Sequence, residues 1–160
     1  MLVFKLSVIL LISVMVGCNT IEIQTRYSFN GGSEKYQSFN LTSESNELDM
    51  NEHNRNLLRN LVTKELEDRG YVLSDEPDFW VDLNAETFLR INPLTYSNGY
   101  SGMDSKVYTT PAGKLYIQLL NSSKDRVIWR AVASSRVERT YKNSLLIAKA
   151  VRKVFKEFPD

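Results

Sequence analysis

The sequence predicts an α+β fold in which a mainly antiparallel sheet has two helices packed on one face. Several stretches alternate apolar and polar residues, two stretches repeat apolar residues with helical spacing, and the later strands are joined by short turns. Strands that follow one another through hairpins, with helices at either end of the run, are typical of this class.

The first strand is predicted from Ile21 to Phe29, where apolar and β-branched residues alternate with polar ones. It ends at the turn Asn30-Gly31-Gly32. A short strand around Tyr36 to Leu41 could pair with it. The polar, acidic segment from Thr42 to Asp49 then forms a loop that leads into the first helix.

Two amphipathic helices are predicted. In the first, from Met50 to Arg69, apolar residues recur at helical spacing, and Gly70 supplies the left-handed residue that commonly ends a helix. The second helix runs from Ser144 to Phe158 and places its apolar residues on one side. These residues are Ala148, Val151, Phe155 and Phe158.

The clearest strand runs from Phe79 to Ile91, because apolar residues recur at alternate positions along most of its length. The segment from Asn92 to Ser105 is expected to be a loop. Two further strands are expected at Leu115–Leu120 and Val127–Val137. The residues between them, Asn121–Asp125, have the composition of a hairpin turn.

Composition excludes several classes of protein. The chain has 160 residues, 42% of them hydrophobic, with 20 Lys and Arg against 19 Asp and Glu. Such a balance argues against a nucleic-acid binder that depends on neutralising phosphates, and the apolar content argues against a disordered chain. One Cys excludes an intramolecular disulfide, and one His leaves too few ligands for a zinc cluster. No cofactor is expected.

The N-terminus has the pattern of a secretory signal, predicted to span Met1–Gly17. Lys5 is its only charge, and an apolar run follows from Leu6 to Val16. That run is too short for a permanent transmembrane helix, which needs about 20 residues. The alternative is a soluble secreted protein in which the Cys that follows the signal occurs by chance.

The residues before Cys18 resemble the lipobox of bacterial lipoproteins. Cleavage there would leave Cys18 as the first residue, ready for lipidation by diacylglycerol and an acyl chain such as palmitate. Several acyl chains would anchor the protein stably. In such lipoproteins an Asp after the lipidated Cys often marks retention in the inner membrane. This chain has Asn19 there, which by analogy indicates the outer membrane. The expected organisation is a signal peptide, residues 1–17, and a single periplasmic α+β domain, residues 18–160.

Some polar residues could form a catalytic or metal site. Asp82, Asn84 and Glu86 share one face of the clearest strand, so their oxygens could hold a cation or act as a paired acid and base. No calcium-loop pattern supports a metal site. His53 begins the first helix without a recognisable nucleophile motif. The carboxylates of the loop around Pro77, at positions 75, 76 and 78, are expected to be solvated surface groups.

The expected loop contains the best candidate binding residues, Tyr96, Asn98 and Tyr100. Tyr, Asn, Ser and Gly together form the adaptable amphipathic surfaces that recognition loops use. A flexible connector is the alternative. Trp80 and Phe88 lie on the otherwise polar face of their strand, where they could be covered by a helix or exposed as an interface.

Quoted in order, the most distinctive segments are YQSFNL, LEDRGYVLSDEPDFWVDLNAETF, GKLYIQLLNSSKDRVIWRAVASS and FKEFP. Together with the Cys near the start, they resemble the bacterial lipoprotein family known as domain of unknown function 4136. The similarity covers nearly the whole chain after Cys18. The resemblance implies a fold and a location in the envelope, and it implies no activity.

The sequence therefore predicts a non-enzymatic accessory or binding module, anchored to the outer membrane on its periplasmic side through lipid on Cys18. Its partner would be an envelope protein or a glycan or lipid ligand, and no nucleic acid. One alternative is a carrier or sensor for lipid, glycan or peptidoglycan fragments. A second is a hydrolase that uses carboxylates such as Asp82 and Glu86.

Overall fold

In the computed structural model, the described residues are 21–27, 36–46, 50–97, 103–136 and 143–159, and they form a six-stranded sheet with two helices. The elements, in chain order, are β1 Glu22–Tyr27, β2 Ser38–Leu41, a 3-10 turn Ser43–Asn46, α1 Glu52–Glu67, β3 Val72–Leu73, β4 Phe79–Ser97, β5 Met103–Asn121, β6 Val127–Arg136 and α2 Asn143–Lys156.

The sheet is mixed, so the prediction of a mainly antiparallel sheet is wrong. Its order is β1-β6-β5-β4-β2-β3. The first three junctions are antiparallel, whereas β2 runs parallel to both β4 and β3. Parallel neighbours need a long connection, and here α1 supplies it between β2 and β3. The strand expected to pair with the N-terminal strand pairs with β4 instead.

Helix α1 confirms the predicted helix and its stop. Asn51 caps its start, because the side-chain Oδ1 accepts a hydrogen bond from the backbone N–H of Asn54 at 2.9 Å. Gly70 ends it with φ at +90°, a conformation that glycine adopts without steric cost. Leu58, Val62 and Leu66 form the fully buried stripe.

The two faces of the sheet differ in burial. On β4, Phe79, Val81 and Leu83 are buried, while the residues between them lie on the opposite face. We call the side with Phe79 the inner face and the other the outer face. The inner face forms one core with the buried residues of both helices. The helical members are Leu58, Val62, Leu66, Ala150, Val151, Val154 and Phe155.

Large aromatic side chains fill one end of this core. The ring of Trp129 is fully buried and lies 5.0 Å from the ring of Phe158 and 6.3 Å from that of Phe155. Tyr71 meets both Phe79, at 5.3 Å, and Phe158, at 6.2 Å. Burial raises the pKa of Tyr71. We call these residues the aromatic cluster; they fasten α2 to the sheet.

Arg69 joins the two helices at the same end. Its guanidinium donates to the backbone oxygen of Phe155 at 2.7 Å and to Glu65 Oε2 at 2.8 Å. It also lies 5.1 Å from the centre of the Phe155 ring. The arginine thereby satisfies a carbonyl in the last turn of α2, which has no partner within the helix.

Strands β4 and β5 pair over their whole length, so the loop expected at Asn92–Ser105 is wrong in its bounds. Pairing continues outward to Ser97 opposite Met103. Within the described residues, β6 accompanies β5 as far as Ala112, so that in this part of the chain Leu89–Ser97 and Met103–Pro111 form a two-stranded ribbon. We refer to these two stretches as the ribbon. The apolar alternation of the strand simply continues past the residues that suggested a loop.

Asp78 fixes the parallel junction between β2 and β4. Its Oδ2 accepts hydrogen bonds from the backbone N–H groups of Gln37 and Ser38 and from Ser38 Oγ, all at 2.9 Å. The bond from the Gln37 N–H, followed by those from Ser38, holds the pKa of Asp78 below its usual value. The expectation that this carboxylate is merely solvated is therefore wrong.

We expect Asp78→Asn to reduce the dependence of stability on acid pH. A carboxyl whose folded-state pKa is lowered stabilises the fold above its unfolded pKa of about 4, and the contribution is lost as pH falls through the folded-state pKa. Between about pH 5 and pH 2, urea denaturation should therefore show a steeper loss of stability for the wild type than for Asp78→Asn.

Asp75→Asn, at an exposed position of the same connecting segment, is the control and should follow the wild type. Superimposable stability profiles for the wild type and Asp78→Asn would contradict the assignment of Asp78 as the residue that fixes this junction.

Candidate functional site

The strongest candidate site is a cleft between the inner face and the first turns of the two helices. It lies at the end of the core away from the aromatic cluster and has a volume of about 300 Å³. That volume is at the lower end of the range of ligand pockets. Its apolar lining comes from Ile21, Met50, Ala85, Leu115, Ala133, Leu146, Ile147 and Ala150.

Small side chains on the inner face create the cleft. Along β6 the inward positions shrink from Trp129 through Ala131 to Ala133. On β4 the corresponding change is from Phe79 to Ala85. Close packing against the helices is possible where the residues are large, and space remains where they are small.

The polar groups that face this space are uncharged. They belong to Asn51, Asn54 and, at inward positions of the strands, Thr87 and Ser135. Asn54, only 4% exposed, accepts a hydrogen bond at its Oδ1 from Ser144 Oγ at 2.7 Å, which connects the first turns of the two helices. The charged residues among the lining are Glu86, Lys114 and Arg136. Strand alternation directs their side chains to the outer face. The arrangement suits an apolar group better than a charged one.

The carboxylates of Asp82 and Glu86 lie on the outer face and already accept hydrogen bonds. Asp82 accepts from Thr42 Oγ1 and from Gln118 Nε2, both at 3.2 Å. Glu86 Oε1 accepts from the Tyr116 hydroxyl at 2.6 Å and lies 3.3 Å from Lys114 Nζ.

The bond from the Tyr116 hydroxyl, reinforced by Lys114, lowers the pKa of Glu86, and the same bond raises the pKa of Tyr116. A general acid needs the opposite shift, towards neutral pH. The outer-face carboxylates therefore act as cross-strand acceptors in this structure.

The other polar candidates are not brought together with them into a reactive cluster. Asn84 shares their face and is exposed, while His53 is exposed in the first turn of α1, beside the cleft-lining Asn54 and away from the carboxylates on the outer face. Within the described ranges, no group of three or more His, Cys, Asp and Glu side chains is placed to hold a metal ion.

Trp80 and Phe88 are half-buried on the outer face. Lys124 Nζ lies 3.8 Å from the centre of the Trp80 ring, whose Nε1 donates to the backbone oxygen of Ser122 at 3.1 Å. Lys114 Nζ lies 4.9 Å from the Phe88 ring. Each ring is thus partly covered by a lysine rather than by a helix. Their role as an interface stays a prediction.

Several predicted features fall outside the described residues. They are the signal peptide at residues 1–17, Cys18, the turn at residues 30–32, and Asn98 and Tyr100. The backbone of Tyr96 belongs to β4, opposite Asp104, and its side chain is not described. Among the described residues, no helix is long and apolar enough to cross a bilayer.

Sequence reasoning missed the cleft. The signal that could have found it is the decreasing size of residues at alternate positions of β6, Trp129, Ala131 and Ala133, read together with Gly113 on β5. Alternation alone gives only the direction of each side chain. The empty volume can be recognised only when the strand register is known, because the register places these small residues side by side.

Comparisons with solved structures show what the fold resembles. A PDZ domain protein from Parabacteroides distasonis matches with a TM-score of 0.60 and 16% identity over 88% of this chain. The match spans only 36% of that protein. The PelC dodecamer from Paraburkholderia phytofirmans matches with a TM-score of 0.49 and 10% identity over 84% of this chain and 94% of its own. At these identities, the first likeness shows the fold alone.

No protein with a curated description matches the sequence significantly. The family model described as "Domain of unknown function (DUF4136)" matches residues 23–160, which include every strand and helix described above apart from the first residue of β1. This confirms the family part of the resemblance drawn from the sequence. The chain belongs to the domain of unknown function 4136 family.

Proposed function

We propose that this protein is a lipid-anchored, non-enzymatic binding module of the bacterial outer membrane, and that its cleft holds the acyl chain of a lipid. The observation that carries the proposal is the cleft itself, whose lining is mainly apolar and whose inward polar groups are uncharged. An apolar chain gains free energy by leaving water for such a site, at about 25 cal/mol per Å² of buried surface.

Two further observations support the proposal. The sequence around Cys18 has the pattern of a lipidation site at the end of a signal peptide. The carboxylates that would serve a hydrolase are engaged as acceptors on the other side of the sheet. The matched family, which has no assigned function, is compatible with a binding module.

Replacing the anchor residue tests the location. We expect Cys18→Ala to abolish acylation, so that the protein leaves the membrane fraction and the mass of the isolated chain shows no acyl groups. The measurement is membrane fractionation with intact-mass spectrometry. Thr20→Ser, which keeps the thiol of Cys18, serves as a matched control and should remain acylated. Retention of Cys18→Ala in the membrane fraction would contradict lipid anchoring.

Filling the cleft tests the ligand site. We expect Ala85→Leu to occupy the space between the inner face and the helices, and to reduce the lipid that co-purifies with the full-length protein by at least about tenfold. Thermal stability should be kept, because a larger side chain in an empty volume gains apolar contacts. Native mass spectrometry measures the bound lipid.

Val132→Leu is the matched control, since it also enlarges an aliphatic position of the sheet but lies on the outer face. Equal lipid content in folded Ala85→Leu and Val132→Leu would show that the cleft is not the ligand site. A stoichiometric protein in place of lipid would instead show that the module binds a protein partner.

Neutralising the outer-face carboxylates tests the enzymatic alternative. We expect Asp82→Asn with Glu86→Gln to fold, to melt at a slightly lower temperature and to retain lipid capture, because these groups only accept cross-strand hydrogen bonds. The measurements are a thermal melt and native mass spectrometry. If cells with a folded double variant show the same phenotype as cells that lack the protein, the hydrolase alternative is favoured.

A further inference from the structure

The ribbon carries an apolar surface that no part of the described chain covers well. Leu89 is 65% exposed, Ile91 68% and Val107 65%. They lie on the side of β4 and β5 that is continuous with the inner face, because Leu89 faces Pro111, Ile91 faces Thr109 and Pro93 faces Val107. We call this surface the apolar ribbon face. Exposed apolar patches of this kind mark sites of interaction.

The opposite side of the ribbon has a different character. Asn92 Nδ2 donates to Thr110 Oγ1 at 3.0 Å and to the backbone oxygen of Arg90 at 3.1 Å. Arg90 and Lys106 add positive charges on this side. Leu94, 50% exposed, and Tyr108, 48% exposed, also lie on this side. The two sides of the ribbon therefore differ in charge and hydrogen-bonding groups, and we call the second one the polar side.

The edges of the ribbon are unsuited to pairing with a strand of another chain. Each edge contains a proline, Pro93 on β4 and Pro111 on β5. Pro111 lies directly beyond the last pair of β5 with β6, Ala112 opposite Arg136. A proline has no N–H to donate to a neighbouring strand, so it protects an open edge. The occupant must lie against the face of the ribbon.

The chain enters the sheet at the end from which the ribbon projects. Glu22, the first residue of β1, pairs with Ser134, which pairs with Lys114, which in turn faces Glu86. Glu86 is three residues before the start of the ribbon at Leu89. A membrane anchor attached just before β1 would therefore hold this end of the molecule towards the lipid.

The lengths limit the possible arrangements. The four peptide links from Cys18 to Glu22 span at most about 14 Å when extended. The ribbon, with nine residues in each strand, is about 30 Å long at about 3.3 Å per residue. Because the ribbon is longer than the tether, a ribbon that points towards the membrane reaches the lipid and either enters it or bends to lie along its surface.

From these observations we infer that the apolar ribbon face lies in the interfacial region of the membrane that anchors the protein, with its polar side towards water. This inference rests on the lipid anchor of the proposed function. The ribbon acts as a second, reversible membrane contact that fixes the orientation of the anchored domain. The cleft, which lies beside the base of the ribbon, is then held close to the lipid surface.

A single fluorescent label tests the inference in the full-length lipidated protein. Cys18 is the only cysteine of the chain, so acylation leaves no other free thiol. Thr109→Cys places a label on the apolar ribbon face, and Ser123→Cys places the matched control in the turn at the far end of the sheet. Each protein is reconstituted into vesicles of phosphatidylethanolamine and phosphatidylglycerol, with and without brominated acyl chains.

We expect the brominated lipids to quench the label at position 109 by at least about twofold and to leave the label at position 123 unchanged. The same quenching should be lost when Ile91→Asp and Val107→Asp are added, because two charges oppose insertion. A label at position 109 that is unquenched on vesicle-bound protein would overturn the inference.

The outcomes also separate this inference from the anchor. Protein that floats with vesicles but shows no quenching at position 109 keeps the anchor and loses the ribbon contact. Protein that fails to float, with no acyl mass, refutes the anchor itself. Disulfide-linked dimers through Thr109→Cys on unlabelled protein, without quenching of the labelled form, would show that a second copy covers the ribbon.

Discussion

The change in side-chain size along the inner face is the constraint on which the rest of the structure depends. At one end, Trp129, Phe155 and Phe158 pack so closely that α2 is fixed to the sheet. At the other end, Ala85 and Ala133 leave the helices without large partners. The core is therefore closely packed at the end with the aromatic cluster and leaves the cleft open at the other end.

The outer face follows a different principle. Side chains there satisfy one another across strands, as Arg130 does by donating to Gln118 Oε1 at 2.6 Å and 2.9 Å, and Gln118 in turn by donating to Asp82. Exposed polar pairs contribute little to the free energy of unfolding. Their main effect here is to keep the side chains of neighbouring strands in a regular arrangement. Function in this molecule is better sought where apolar surface is incompletely covered.

The elements that could be predicted are those that depend on local sequence patterns. The features that could not be predicted depend on pairing between residues that are distant in the chain. Gly70 marks the end of α1 in the sequence, and the turn from Asn121 to Asp125 has its expected chemistry. The cap at Asn51 became visible only in the structure. The partner of β2 depends on a crossover that periodicity does not encode. The segment from Asn92 to Ser105 was expected to be a loop, yet β4 and β5 continue to pair through Pro93 as far as Ser97 and Met103. The cleft depends on register, which the sequence alone does not supply.

The pairing of β1 with β6 has a consequence for how the protein folds. Glu22 and Ser134 are about 110 residues apart, whereas β4, β5 and β6 follow one another directly in the chain. Contacts between distant residues form slowly, because the intervening chain must first be ordered. The hairpins of β4 to β6 can form first, and β1 can pair only after β6 is available. Until β1 pairs, the edge of β6 stays open to proteases and to other unfolded chains.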